Sequence, residues 1–281
     1  MLRTFTTTLA LVAIALAAVT SGNATPAKAR TVHIYGDSIA SGIGFGVYDY
    51  PSTLESIPQA ATALARANGS DLRFSANRGQ DATLICQGVA SGLIKPDDDV
   101  IYEDAGPHTD EAQSYANFMT YAAWCATHGN IGVAPRSPRH LIYATMFDYG
   151  NPYDGDAAYD APFKKYGAPR TPNDVTRNVA RSRGARLLDW NATMDAAHAV
   201  LEPQGVHVVQ SDGIHPTPFG YALLAVSVLR AEGVRITNLT PVVDELMRQE
   251  TKIVANGYAP TYTRAQAQAW VDVLANTEGT R

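Results

Sequence analysis

Val32-His33-Ile34-Tyr35-Gly36-Asp37-Ser38-Ile39-Ala40-Ser41-Gly42 joins a short apolar run to a cluster of turn residues. The run is β-branched and aromatic, and Gly36-Asp37-Ser38 breaks it, so it reads as a buried strand ending in a sharp turn. A serine at that point stands at the carboxyl end of a strand with its hydroxyl presented, where open α/β sheets keep their ligands. Gly-Asp-Ser alone is ordinary turn composition. A second stretch, Ser211-Asp212-Gly213-Ile214-His215-Pro216-Thr217, adds weight to it. An Asp and a His three residues apart beside a turn supply a base and its orienting carboxylate for a distant serine.

Between these two stretches the chain alternates. A helix is expected from Pro58, a residue suited to a first turn, to Asn68-Gly69, with Ala61, Leu64 and Ala65 on one face. Strands are expected over 72–76, 99–105, 140–147 and 185–190, and helices over 110–127, 173–182 and 191–201. Thr217 caps and Pro218 opens a further helix to about Ala231, with Gly233 past its end. This order predicts an α/β fold, a three-layer α/β/α sandwich on a central parallel sheet. It brings the segments after the first three strands, holding Ser38, Gly79 and His108, to one sheet edge with the Asp212/His215 loop. The irregular stretch 148–172, crowded with Tyr, Asp, Gly and Pro, reads as a lid or binding loop or as a surface excursion.

A chain of 281 residues with 46% hydrophobic content buries a large core. Arg3, the apolar run 9–19 and Ala27-Lys28-Ala29 read as a secretory signal peptide over 1–29, too short in its apolar part to span a bilayer comfortably. Its removal takes away Arg3 and Lys28 and no acid, so the net charge moves from −5 to −7. That balance, with no basic cluster among aromatics, excludes a nucleic-acid partner, and stable membrane insertion is not expected. The protein is expected to be secreted or periplasmic. In such a compartment the only two cysteines, Cys86 and Cys125, suggest a disulfide; two buried thiols are the other reading.

Gly36-Asp37-Ser38 near the mature start and Asp212-Gly213-Ile214-His215-Pro216 near the end resemble the SGNH (GDSL-type) hydrolases. The resemblance covers about 31–231 and implies a flavodoxin-like sandwich and serine esterase chemistry. It implies Ser38 as nucleophile, His215 as general base and Asp212 as its partner. It also implies oxyanion donors at the Ser38 amide, at a glycine after the second strand, which Gly79 matches, and at an asparagine after the third. The asparagine is absent: the block usually written Gly-x-Asn-Asp reads Gly106-Pro107-His108-Thr109 here. The imidazole of His108 can donate in its place, or His108 packs beside Pro107.

Asp37, Tyr149 and Tyr153 are candidate substrate contacts. The tyrosines of 48–50 and 143–166 read as a sugar- or acyl-facing wall or as amphipathic surface. His33 reads as a satisfied sheet residue and Asp97-Asp98-Asp99 as a solvated turn. His128, His140, His198 and His207 form no metal-ligand spacing, so neither metal nor other cofactor is expected. The domain plan is a signal peptide (1–29), a hydrolase domain (30–232) and a C-terminal helical extension packed on it (233–281), with helices at 242–255 and 263–275. The reading is a secreted serine esterase acting on a small-molecule or polysaccharide acyl ester, acetyl or short-chain. The alternatives are a polysaccharide O-acyltransferase with the same triad and a noncatalytic carbohydrate-binding protein on the same scaffold.

Overall fold

Strands that are apolar on both faces need cover on both, which a parallel sheet with crossover helices supplies. The structure, a computed structural model, describes residues 30–36, 38–41, 56–78, 82–103, 112–128, 137–147, 171–209, 215–255 and 262–276. Strands β1 (Thr31–Gly36), β2 (Arg73–Arg78), β3 (Asp99–Glu103), β4 (Leu141–Ala144) and β5 (Arg186–Leu188) run parallel in the order β2-β1-β3-β4-β5. This is the flavodoxin-like order, whose switch point lies between β1 and β3.

Alternation along the strands divides the core in two. Val32, Ile34, Ile101, Ile142 and Leu188 face a layer built from α2 (Ile57–Ala67), α6 (Trp190–Leu201) and α7 (Pro218–Ala231). Tyr35, Val100, Tyr102, Leu141 and Tyr143 face α3 (Thr83–Ala90), α4 (Ala112–His128) and α5 (Pro172–Arg183). The result is an α/β/α sandwich. Helix α7 is buried continuously from Pro218 to Leu229, as an all-round apolar helix must be. Its outer side is closed by α8 (Thr240–Ala255) and α9 (Arg264–Asn276), whose Val242, Val243, Leu246, Ala267 and Val271 join the same core. The Tyr262 hydroxyl donates to the Leu246 carbonyl at 2.9 Å and ties the two together.

Several elements differ from the sequence reading. Helix α3 was not expected. β4 ends at Ala144 and not at 147: the Thr145 amide makes the last ladder bond, to the Leu188 carbonyl, and the Asn173 side chain then takes both backbone groups of Met146. β5 ends at Leu188 because Asp189 caps α6, accepting from the Ala192 amide at 3.2 Å. Tyr143 is neither wall nor surface: it is buried under α4, its hydroxyl donating to the Met119 carbonyl.

The expected solvated turn at Asp97-Asp98-Asp99 is also corrected, for only Asp97 is exposed. Asp98 accepts from the amides of Thr31 (3.0 Å) and Lys95 (2.9 Å) and pairs with His33 (3.2 Å), which is the satisfied sheet residue expected. Asp99, 1% exposed, joins Arg30 (3.0 Å), Arg186 (2.8 Å) and His140 (2.6 Å). Arg30 and Arg186 also reach Glu232 beyond the end of α7, so this cluster knits together the amino ends of the strands. Burial would raise the Asp99 carboxyl, but Glu232, the two arginines and His140 outweigh it and hold it below its ordinary value.

Candidate active site

Ser38 opens a single helical turn, α1 (Ser38–Ser41), directly beyond β1. The passage from strand to turn is tight. A Cβ on Gly36 would lie 2.1 Å from Glu103 Oε2 and 2.6 Å from the Ala40 Cβ, so only glycine fits. The register explains the crowding: Glu103, fully buried at the end of β3, pairs with Ala144 and comes one step after the Tyr35–Tyr102 pair. The longest side chain of that row thus lies between its two smallest.

His215 arrives from the far end of the chain. Its position is set by an isolated antiparallel bridge between Val209 and Pro216 and by the Thr217 amide bonding the Val208 carbonyl at 2.9 Å. Thr217 then caps α7, accepting from the Gly220 amide at 3.1 Å, and Pro218 occupies the first turn, as read from the sequence. Gly220 is a second required glycine, since a Cβ there would come within 2.3 Å of the Val208 carbonyl oxygen. A helix start pressed this closely on the incoming strand leaves the preceding histidine little freedom.

These supports bring Ser38 Oγ and His215 Nε2 to 2.7 Å across 177 residues of sequence. His215 is 8% exposed and Ser38 half-buried, so the pair is shielded but open on the serine side. With the hydroxyl donating, Nε2 is bare and Nδ1 carries the ring proton, the arrangement in which an imidazole accepts a proton from an attacking serine. Asp37, Gly79, His108, Tyr149, Tyr153 and Asp212 lie outside the described residues. β2 does deliver the chain at the Ser38 edge, with Arg78 paired to Gly36 immediately before Gly79. Among the described residues no cluster of His, Cys, Asp and Glu has the makings of a metal site.

A polar network at the ends of β4 and β5 had no sequence signal beyond the cap pattern at Asp189. Thr145 donates to Asp189 at 2.9 Å and receives the Asn191 amide at 3.0 Å, while buried Asn173 bonds Met146 and Asn191. Arg177 grips Asp189 with two nitrogens, each at 3.0 Å. Burial works to raise the Asp189 carboxyl, but Arg177, Thr145 and the Ala192 amide prevail and hold it below its ordinary value. The network fixes the chain where it enters and leaves the 148–170 segment. Within the layer of α3, α4 and α5, Cys86 of α3 and Cys125 of α4 form a disulfide.

No family model matches the chain, and no curated protein matches its sequence. Among solved structures it is similar to LAE5, an alpha/beta hydrolase enzyme from the metagenome of Lake Arreo, Spain, at 20% identity. That match covers 73% of this chain and 95% of the other, with a TM-score of 0.48. It is similar at 14% identity to Axe2, an acetylxylan esterase from Geobacillus stearothermophilus, over 75% of this chain and 97% of that one, with a TM-score of 0.48. The acetyl xylan esterase AlAXEase matches at 16% identity, over 72% and 98% of the two chains and again with a TM-score of 0.48.

Proposed function

We propose that the protein is a secreted serine ester hydrolase of the SGNH type. Ser38 is the nucleophile, His215 the general base, and Asp212 the carboxylate that orients His215. The observation that carries this reading is the 2.7 Å bond between Ser38 Oγ and His215 Nε2 at the carboxyl edge of a parallel sheet. A serine hydroxyl is a weak nucleophile until a neighbouring imidazole takes its proton. His215 Nε2 accepts that proton as Oγ bonds to the ester carbonyl carbon, and passes it to the departing alcohol oxygen as the acyl-enzyme forms. Water then attacks the acyl carbon, returns the proton through His215 and releases the acid.

The oxyanion of each tetrahedral intermediate is met by donors at Ser38, Gly79 and His108, the last in place of the asparagine of the related pattern. Removal of one such donor typically costs about 10²–10³ in rate. The substrate is an acetyl or other short acyl ester of a small molecule or polysaccharide. Export is supported by the signal-peptide pattern and by the Cys86–Cys125 bridge, which persists in oxidising compartments. Among the described residues no helix is long and apolar enough to cross a membrane.

The test is hydrolysis of a chromogenic acetate ester, together with labelling by a serine-reactive phosphonate and peptide mapping. One label per chain on Ser38, with proportional loss of turnover, is expected. Turnover without label, or label on another serine, would overturn the reading. Adding a polysaccharide acceptor distinguishes hydrolysis from transfer, since an acyltransferase would release acylated sugar instead of free acid.

A further inference from the structure

At the carboxyl end of α4, away from the Ser38 edge, the surface holds a pocket of about 240 Å³. Ligand sites that enclose a drug-sized molecule run to about 300–1,000 Å³, so this one takes a single ring and leaves the rest of its ligand outside. Its walls are Trp124, Thr127 and His128 from successive turns of α4, Pro138 and Leu141 at the start of β4, and Arg183 at the end of α5. The cavity is apolar within and has hydroxyl, imidazole and guanidinium groups among its walls.

The aromatic groups are ordered in an unusual way. Tyr121, Trp124 and His128 project from one face of α4 with nearly parallel rings, 7° between the first two planes and 11° between the last two. Their centroids are 6.0 and 5.9 Å apart. Tyr121 and Trp124 are 40% and 45% exposed, in contrast to the buried Tyr102, Tyr115 and Tyr143 of the same layer. The row extends over seven residue steps of helix, from 121 to 128, roughly 10 Å or the length of two linked sugar rings.

Two details specify the chemistry of a ligand. The Thr127 hydroxyl lies 2.8 Å from the Ala123 carbonyl, to which it donates, and 2.7 Å from His128 Nδ1, so that ring nitrogen is already engaged. The other ring nitrogen of His128, Nε2, has no partner among the described residues and can meet a ligand hydroxyl. Arg183 is exposed and, among the described residues, no carboxylate pairs with it; none of the pocket's walls is acidic. Arg181 and Arg139 stand beside the walls in sequence, so a cationic spot sits on a protein of net charge −5.

We infer that this pocket binds a pyranose ring bearing a carboxylate, a uronic acid residue of a polysaccharide, with the ring against Trp124 and the carboxylate on Arg183. The apolar C–H face of a pyranose packs on the exposed part of the Trp124 ring, which stacks with Tyr121 and His128, and its rim of hydroxyls meets His128 and solvent. The guanidinium fork fits the carboxylate bidentately. Such a site holds an acidic polysaccharide to the surface without taking part in ester cleavage, and it does not depend on the proposed esterase chemistry.

The experiment uses the mature Ser38→Ala protein, so that no turnover intervenes. Trigalacturonate and its fully methyl-esterified form are titrated in turn, read by tryptophan fluorescence and calorimetry. The acid should bind at least tenfold more tightly than the ester. Trp124→Ala should weaken the acid at least tenfold, and Arg183→Gln should make the two sugars equal. Both variants, made in the protein with Ser38 intact, should keep the wild-type rate on a small acetate ester. Absence of millimolar binding, or binding that survives both substitutions, would overturn the assignment. So would benzoate competing as well as the sugar, or sedimentation showing a Trp124-dependent dimer, for then the exposed rings serve an aromatic acid or a second copy.

Discussion

The carboxylate of Glu103 fills the place where any side chain at Gly36 would begin: its Oε2 lies 2.1 Å from that position, and its backbone oxygen lies 3.0 Å away. Glu103 is fully buried and the Ala40 Cβ closes the other side at 2.6 Å, so nothing nearby yields cheaply. Gly36→Ala should therefore destabilise the protein by about 1–3 kcal/mol, the usual cost of overpacking, and push Ser38 away from His215. Thermal melting measures the first effect and phosphonate labelling of Ser38 the second. A variant that melts and labels like the wild type would show that the turn is looser than this contact requires.

Ser38→Ala and His215→Ala should each abolish nearly all ester hydrolysis, and the double variant should be little worse than either. Groups that act as one unit lose their effect together. Steady-state rates for the three proteins, with folding verified by circular dichroism, decide this. Multiplicative losses would mean that the two side chains act independently despite their 2.7 Å contact.

His108→Ala should lower kcat by about 10²-fold with a much smaller effect on KM, since an oxyanion contact forms mainly in the transition state. His108→Asn should recover much of that rate. Equal loss of stability in both variants, with kcat unchanged, would make His108 a packing residue.

The Cys86–Cys125 bridge links residues 39 apart in sequence, and on the chain-entropy model it contributes about 4 kcal/mol. Replacing both cysteines by serine should lower the Tm by roughly 8–16 °C for a domain of this size. Alkylation under non-reducing conditions should find no free thiol in the wild type. An unchanged Tm would mean that α3 and α4 are held as well by packing alone.

Burial raises the Glu232 carboxyl, and the neighbouring Asp99 carboxylate raises it further, against a partial offset from Arg186 and Arg30; the outcome is about 8. Glu232 is thus protonated in the folded protein across a range in which the unfolded chain, near its ordinary 4.5, has released the proton. This contribution to stability is complete below pH 4.5, declines as the pH rises towards 8 and is absent above it. Glu232→Gln, whose amide can still donate to Asp99, should flatten that decline. Denaturation at pH 5, 6.5 and 8 measures it, and equal slopes in the two proteins would exclude Glu232 as the source.

What the sequence disclosed were features encoded locally. The apolar run into Gly36, the Thr217-Pro218 cap and the alternation of strands and helices each depend on a few adjacent residues, and each leads to the observed element. Buried charge was illegible for the opposite reason. Three consecutive aspartates resemble a surface turn until Arg30, His33, His140, Arg186 and Glu232 come to meet them from distant parts of the chain. Glu103 hides in the same way, since its space exists only because position 36 across the sheet has no side chain. Trp124 gives the converse case, a large apolar side chain whose ring lies on the surface.

The 177 residues that separate Ser38 from His215 also order events in time. A ribosome adding about 5–20 residues per second takes roughly 9–35 s to cover that interval. On the proposed mechanism the serine has by then been made and its base has not, so the emerging chain holds an inert alcohol among whatever esters surround it. A chain broken off anywhere before the last quarter stays inert. On that mechanism ester cleavage reports that synthesis has passed position 215 and that the two distant segments have met.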